Sequence, residues 1–118
     1  MIRVTALWPR TNDSHFDMEY YLTKHVPMTK ARLKSAGFTV VAEVDEGLGS
    51  LTPGEPPAYA AIGTLLFETM EDLQKGLAAH AAEILADVPN FTDVQPVVVI
   101  GSVVLGAIHP ASPSESTA

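Results

Sequence analysis

The sequence predicts one α+β domain, a ferredoxin-like split βαβ sandwich with a four-stranded antiparallel sheet and two helices on one face. Three observations predict it. Two stretches with helical periodicity and capping residues alternate with four apolar stretches in the order β-α-β-β-α-β. The chain has 118 residues, the size of a single domain with a real core. Its apolar share of 47% is globular and slightly high for so short a chain, which hints at an additional covered surface such as a subunit interface.

The first strand is Ile2 to Trp8, ended by Pro9. A polar loop, RTNDSH, follows. Ser14 or a neighbour caps a helix, with Asp17 three residues on, and Glu19 favours the positive end of the helix dipole. That helix runs from about Phe16 to Ser35 and stops before Gly37, a C′ residue. The second strand is Phe38 to about Val44. Gly47 to Pro57 holds three prolines and three glycines and reads as a loop. The third strand is Tyr59 to Glu68. Thr69 caps the second helix, with Asp72 completing a capping box, and that helix runs to about Asp87 before Pro89. NFTD turns the chain into a last strand, Val94 to Leu105, with Pro96 near its start. Residues 1–105 thus form the domain, and 106–118, small, polar and rich in Pro and Ser, form a flexible tail.

Both faces of the sheet read as covered. VVVIGSVVL and YAAIGTLLF are apolar at nearly every position, without the alternation of a sheet that faces water on one side. The simplest cover is the sheet of a second copy, giving a homodimer through the sheet faces.

Charge and residue inventory exclude several function classes. A net charge of −7 argues against nucleic acid and anionic membrane as partners. Without cysteine there is no disulfide framework, thiolate nucleophile or Cys-metal site. The N-terminus lacks the pattern of a signal peptide and the longest apolar run, from Val97, is too short for a bilayer, so a soluble cytoplasmic protein is expected. Phosphate-loop, dinucleotide, zincin and nucleophile-elbow motifs are absent. No metal and no cofactor is expected.

The segment FDMEYYLTKHVPM, Phe16 to Met28, places an imidazole two residues before a proline in the middle of a helix. Pro27 has no N–H, so the Thr23 carbonyl loses its partner and Val26 is expected to leave helical angles. The kink would turn His25 into a cavity between helices and sheet. Tyr21 and His25 are neighbours on one helix face. On the second helix His80 falls within the apolar stripe of Leu73, Leu77 and Ile84, so the two imidazoles could share that cavity. The competing explanation of each histidine is structural, a neutral ring bonded to one carbonyl or hydroxyl. Buried, His25 should be mainly neutral, unless a carboxylate from Gly47–Pro57 reaches it. Trp8, Phe67 and Phe91 complete the candidate ligand wall.

The segment resembles the EthD family, named for ethyl tert-butyl ether degradation, of the dimeric α/β-barrel superfamily. The pattern there is Phe-Asp, then Tyr followed by Tyr or Trp, then His-x-Pro, matched by Phe16-Asp17, Tyr20-Tyr21, His25 and Pro27. DVPNFTDVQPVVVIGSV, Asp87 to Val103, is similar to the segment leading into the last strand. The resemblance spans about residues 1–104. It implies protomers that pair into a dimeric α/β barrel, each with a pocket for a small, largely apolar molecule. It implies Tyr21 and His25 as candidate catalytic residues and Phe16 and Tyr20 as supporting positions. Relatives in the wider superfamily include cofactor-free monooxygenases of aromatic polyketides, polyketide cyclases, small-molecule isomerases and haem enzymes, and the resemblance implies a cofactor-independent oxygenase, cyclase or isomerase of an aromatic or polyketide-like compound. The alternative is a non-catalytic small-molecule binding or accessory protein of a degradation pathway.

Overall fold

A computed structural model describes residues 1–38 and 40–106 of the chain. The strands are β1 (Ile2–Pro9), β2 (Val41–Glu46), β3 (Tyr59–Phe67) and β4 (Val97–Ser102), in one antiparallel sheet of order β2-β3-β1-β4. A short α1 (Met18–Tyr20) runs through a π-helical turn (Tyr21–His25) into α2 (Val26–Ser35), and α3 (Met70–Ala86) follows β3. This is the expected ferredoxin-like order. The tail expected from residue 106 lies, past Gly106, outside the described residues.

The register decides which side chains meet the helices. Val4 pairs with Leu65 and Ile100, Ala6 with Gly63 and Val98, and Trp8 with Ala61. Val44 pairs with Gly63. Paired residues share a face and successive residues alternate, so these positions and Phe67 lie on the helix side. Two clusters fill the core there. One joins Trp8, Tyr21, Ala61, Val88 and Phe91, and the other joins Val4, Leu33, Phe67 and Leu73. Gly76 lets α3 approach α2, because a Cβ there would stand 2.9 Å from the end of Leu33.

The termini of the elements follow local chemistry. Thr69 caps α3 by accepting from the Asp72 N–H, as expected, and Gly37 takes φ +94° after α2. The cap of α1 is Asp17, not Ser14: its Oδ1 accepts from the Tyr20 N–H at 3.0 Å. The reason is a clamp from the far end of the chain. The Asp17 N–H donates to the Phe91 carbonyl at 2.7 Å, and Phe16 bridges Thr92, which fixes the helix start there. Ser14 instead closes a turn with Thr11. The second strand begins later than expected, at Val41. The last is shorter at both ends, Val97–Ser102: its pairing with β1 starts at Leu7 opposite Val97, and past Ser102 only the Val103 N–H still bonds across, to the Met1 carbonyl at 3.0 Å.

Pro27 does not break the helix. Val26 keeps helical angles, φ −63° and ψ −46°, and its N–H donates to the Tyr21 carbonyl five residues back. The proline ring would crowd the carbonyl four residues earlier in an α-helix, and a turn widened by one residue relieves that clash. The expected departure of Val26 from helical geometry is therefore replaced by a π-turn. His25 is the last residue of that turn.

Candidate functional site

A cavity of about 290 Å³ lies between the helices and the sheet. Ala6, Trp8 and Val44 line it from the strands, and Leu77 and Ile84 from α3. The polar groups at its wall include Tyr21, His25 and Thr29, spaced four residues apart along one helical segment. All three are buried.

Each polar group is held by a specific neighbour. The Trp8 indole N–H donates to the Tyr21 hydroxyl at 3.3 Å. Gly63 leaves room for that hydroxyl, since a methyl group at this position would overlap it. Burial pushes the Tyr21 phenol above its ordinary value, and the Trp8 bond offsets part of this, so the phenol stays protonated at neutral pH. The Tyr21 and His25 rings stack, centroids 5.5 Å apart and planes 15° from parallel. Phe91 packs on His25 at 4.6 Å between centroids. Thr29 Oγ1 is buried without a hydrogen-bond partner among the described residues.

His25 is only 6% exposed, and its Nδ1 lies 2.9 Å from Asp87 Oδ2. An ionised carboxylate only accepts, so Nδ1 carries the proton and donates it. The other Asp87 oxygen accepts from the Tyr20 hydroxyl at 2.7 Å and from Asn90 Nδ2 at 2.9 Å. Burial pulls the Asp87 carboxyl up, but the bonds from Asn90, Tyr20 and His25 outweigh it and hold the group below the ordinary carboxylate value. Asp87 follows the last residue of α3, at the negative end of that helix, where a carboxylate is disfavoured unless donors surround it.

The carboxylate that meets His25 therefore comes from the end of α3, not from Gly47–Pro57. The two stretches behind the resemblance meet here. Besides the Phe16 and Asp17 contacts, the Thr92 hydroxyl donates to the His15 carbonyl at 2.6 Å, and Asp93 accepts from the His15 N–H at 2.9 Å.

The sequence-derived candidates divide into three groups. Trp8, Tyr21 and His25 share the cavity wall. Phe16, Tyr20 and Phe91 stand behind that wall, packed on Trp8, Tyr21 or one another. His80 and Phe67 lie elsewhere. His80 turns toward Glu83, 3.8 Å away, which also accepts from Arg32 of α2 at 2.7 Å, so the two histidines do not share the cavity. The reason is angular: Leu77, Ala81 and Ile84 take the cavity face of α3 and leave His80 beside it. Phe67 is buried in the second core cluster. Asp87, Thr29 and Gly63 were not read as site residues in the sequence. An aspartate closing a helix against its dipole was the available signal for the first. Among the described residues no group of three or more His, Asp or Glu converges as metal ligands, and no helix is long and apolar enough to cross a membrane.

Comparison with known proteins adds a lineage. Residues 11–95, more than half of the chain, match the model of the EthD domain. The chain is 38% identical to an EthD-like protein from Ralstonia eutropha JMP134 of known structure, with a TM-score of 0.81 over 88% of this chain and 92% of that one. An EthD family protein from Bacillus halodurans C-125 shares 20% identity and a TM-score of 0.66 over 86% of this chain and 97% of that one. HapK from Hahella chejuensis shares the fold, at 16% identity and a TM-score of 0.52 over 94% and 99% of the two chains. No curated protein matches.

Proposed function

The chain belongs to the EthD family, and from that premise we propose that it binds a small, largely apolar molecule in the cavity between helices and sheet and acts on it without a cofactor, with His25 as acid or base. The observation that carries the proposal is His25, bonded to Asp87, at the wall of a largely apolar cavity. Apolar walls with a few placed polar groups suit a ligand that is oriented as well as held. Imidazole is the side chain whose proton moves near neutral pH. Tyr21 orients the ligand or receives a developing oxyanion. The reaction class is that of an oxygenase, cyclase or isomerase of an aromatic or polyketide-like compound. The working unit is a homodimer that covers the outer face of the sheet.

A second reading, a non-catalytic binding protein, draws on the burial of both Tyr21 and His25, as in a polar cluster that only closes the pocket. The ligand itself is tested by native mass spectrometry of freshly purified protein. The expected result is a retained small molecule in the wild type and none in Ala81→Phe, which fills the cavity. Retention by both, or by neither, contradicts the ligand reading. Turnover then separates the two readings: loss of activity in His25→Ala and Tyr21→Phe, on a compound the wild type converts, is the catalytic outcome.

A further inference from the structure

Two groups meet at one part of the cavity wall, the His25 imidazole and the Tyr21 ring stacked beside it, and the Asp87 carboxylate, which does not itself line the cavity, holds His25 Nδ1. We infer that the cavity takes an apolar ketone with an acidic C–H beside its carbonyl, that His25 Nε2 removes this proton, and that Asp87 is the positioning residue for the imidazole. This deepens the ligand reading above and rests on it.

The tautomer is the first support. Nδ1–H is committed to Asp87, so in the neutral ring the lone pair sits on Nε2. Nε2 makes no hydrogen bond among the described residues, yet it is not one of the sealed, unpartnered atoms of the interior. The second support is Tyr21. Its oxygen accepts from Trp8, which leaves its own proton for a ligand oxygen. The third is charge. A neutral ketone enters, and proton transfer creates an imidazolium and an enolate. The imidazolium faces the Asp87 carboxylate and the enolate oxygen faces the Tyr21 donor, so each new charge has a partner in place. A carboxylate behind the base and a net charge of −7 disfavour an anionic ligand instead.

The step balances. The C–H bond breaks and its proton goes to Nε2. The electron pair forms a carbon–carbon double bond, and the carbonyl π pair moves onto oxygen, held by the Tyr21 O–H. Return of the proton to oxygen or to a conjugated carbon gives an enol or a shifted isomer and restores neutral His25. No oxidant or reductant is consumed.

The test uses β-tetralone, a two-ring ketone with an acidic C–H, in deuterium oxide. Exchange of its acidic proton is followed by NMR with full-length protein, and binding by line broadening of the ring signals. Wild type should exchange this proton at least ~10-fold faster than buffer. His25→Gln should return the rate to that of buffer. Asp87→Asn should lower kcat at least ~10-fold with little change in KM, and Asp87→Glu should recover part of it. Should Asp87→Asn fail to fold, Tyr20→Phe, which frees one Asp87 oxygen, should lower kcat in the same direction. Binding without accelerated exchange overturns this inference and leaves the ligand reading standing. Absence of binding contradicts both. Acceleration that survives His25→Gln, or an unchanged kcat in a folded Asp87→Asn protein, overturns the assigned roles.

Discussion

Asp87 ties the chemistry of the site to the stability of the fold. Its carboxyl is depressed in the folded chain by three donors, against the pull of burial. A depressed carboxyl contributes stability that is present above its unfolded value and lost as pH falls through the lower folded value. Urea unfolding across pH should therefore show wild type losing its advantage over Asp87→Asn below about pH 4. A gap that stays constant with pH contradicts the assignment. Thr29 gives a prediction of opposite sign. Its hydroxyl is buried without a partner, so Thr29→Val should stabilise the protein by about 1 kcal/mol. A drop in Tm would mean that the hydroxyl is bonded. Gly63→Ala should cost about 1–3 kcal/mol and displace the Tyr21 hydroxyl from Trp8. Trp8 is the sole tryptophan, so its fluorescence reports the change directly.

Among the elements, caps and periodicity carried most of what was legible. Thr69 and Gly37 end their helices where short-range chemistry places them. The start of the first helix was less legible, because its position is set by Phe91 and Thr92, more than seventy residues away in sequence. The end of β4 was less legible for a similar reason: Val103 to Leu105 are apolar enough for a strand, but past Ser102 the chain end opposite offers only Met1, whose carbonyl accepts from the Val103 N–H at 3.0 Å. The π-turn was hidden because a helix break and a widened turn ask the same of the sequence, a proline at mid-helix. His25 and Tyr21 were visible through their helical spacing. Asp87 was not, since nothing local links it to a histidine 62 residues away. Pro27→Ala should let the π-turn close to an α-turn, with stability unchanged or raised. His25 would then be re-aimed and ligand affinity should fall. Unaltered affinity together with an unaltered His25 titration by NMR would show that the turn has no part in the site.

At the scale of the whole molecule, β4 is exposed along its length, and its outer face carries Val97 and Val99. Register resolves what periodicity left open: Val98 faces the helices and lines the cavity, whereas Val99 points to the opposite face, and both are about half exposed in the single chain. Large apolar patches are uncommon on monomers, which supports a second copy as the cover. Light scattering at micromolar concentration should give a dimer for wild type and a monomer or unfolded chain for Val99→Asp. A monomeric wild type contradicts the proposed assembly. The cavity depends on the fold as a whole, because sheet, α2, α3 and the turn after α3 each supply part of its wall. Nitrogen NMR of the His25 ring reads that arrangement at its working atom. The account predicts a ring protonated at Nδ1, with an Nε2 resonance that shifts when β-tetralone is added. A ring protonated at Nε2, or one that the ketone leaves untouched, would contradict it.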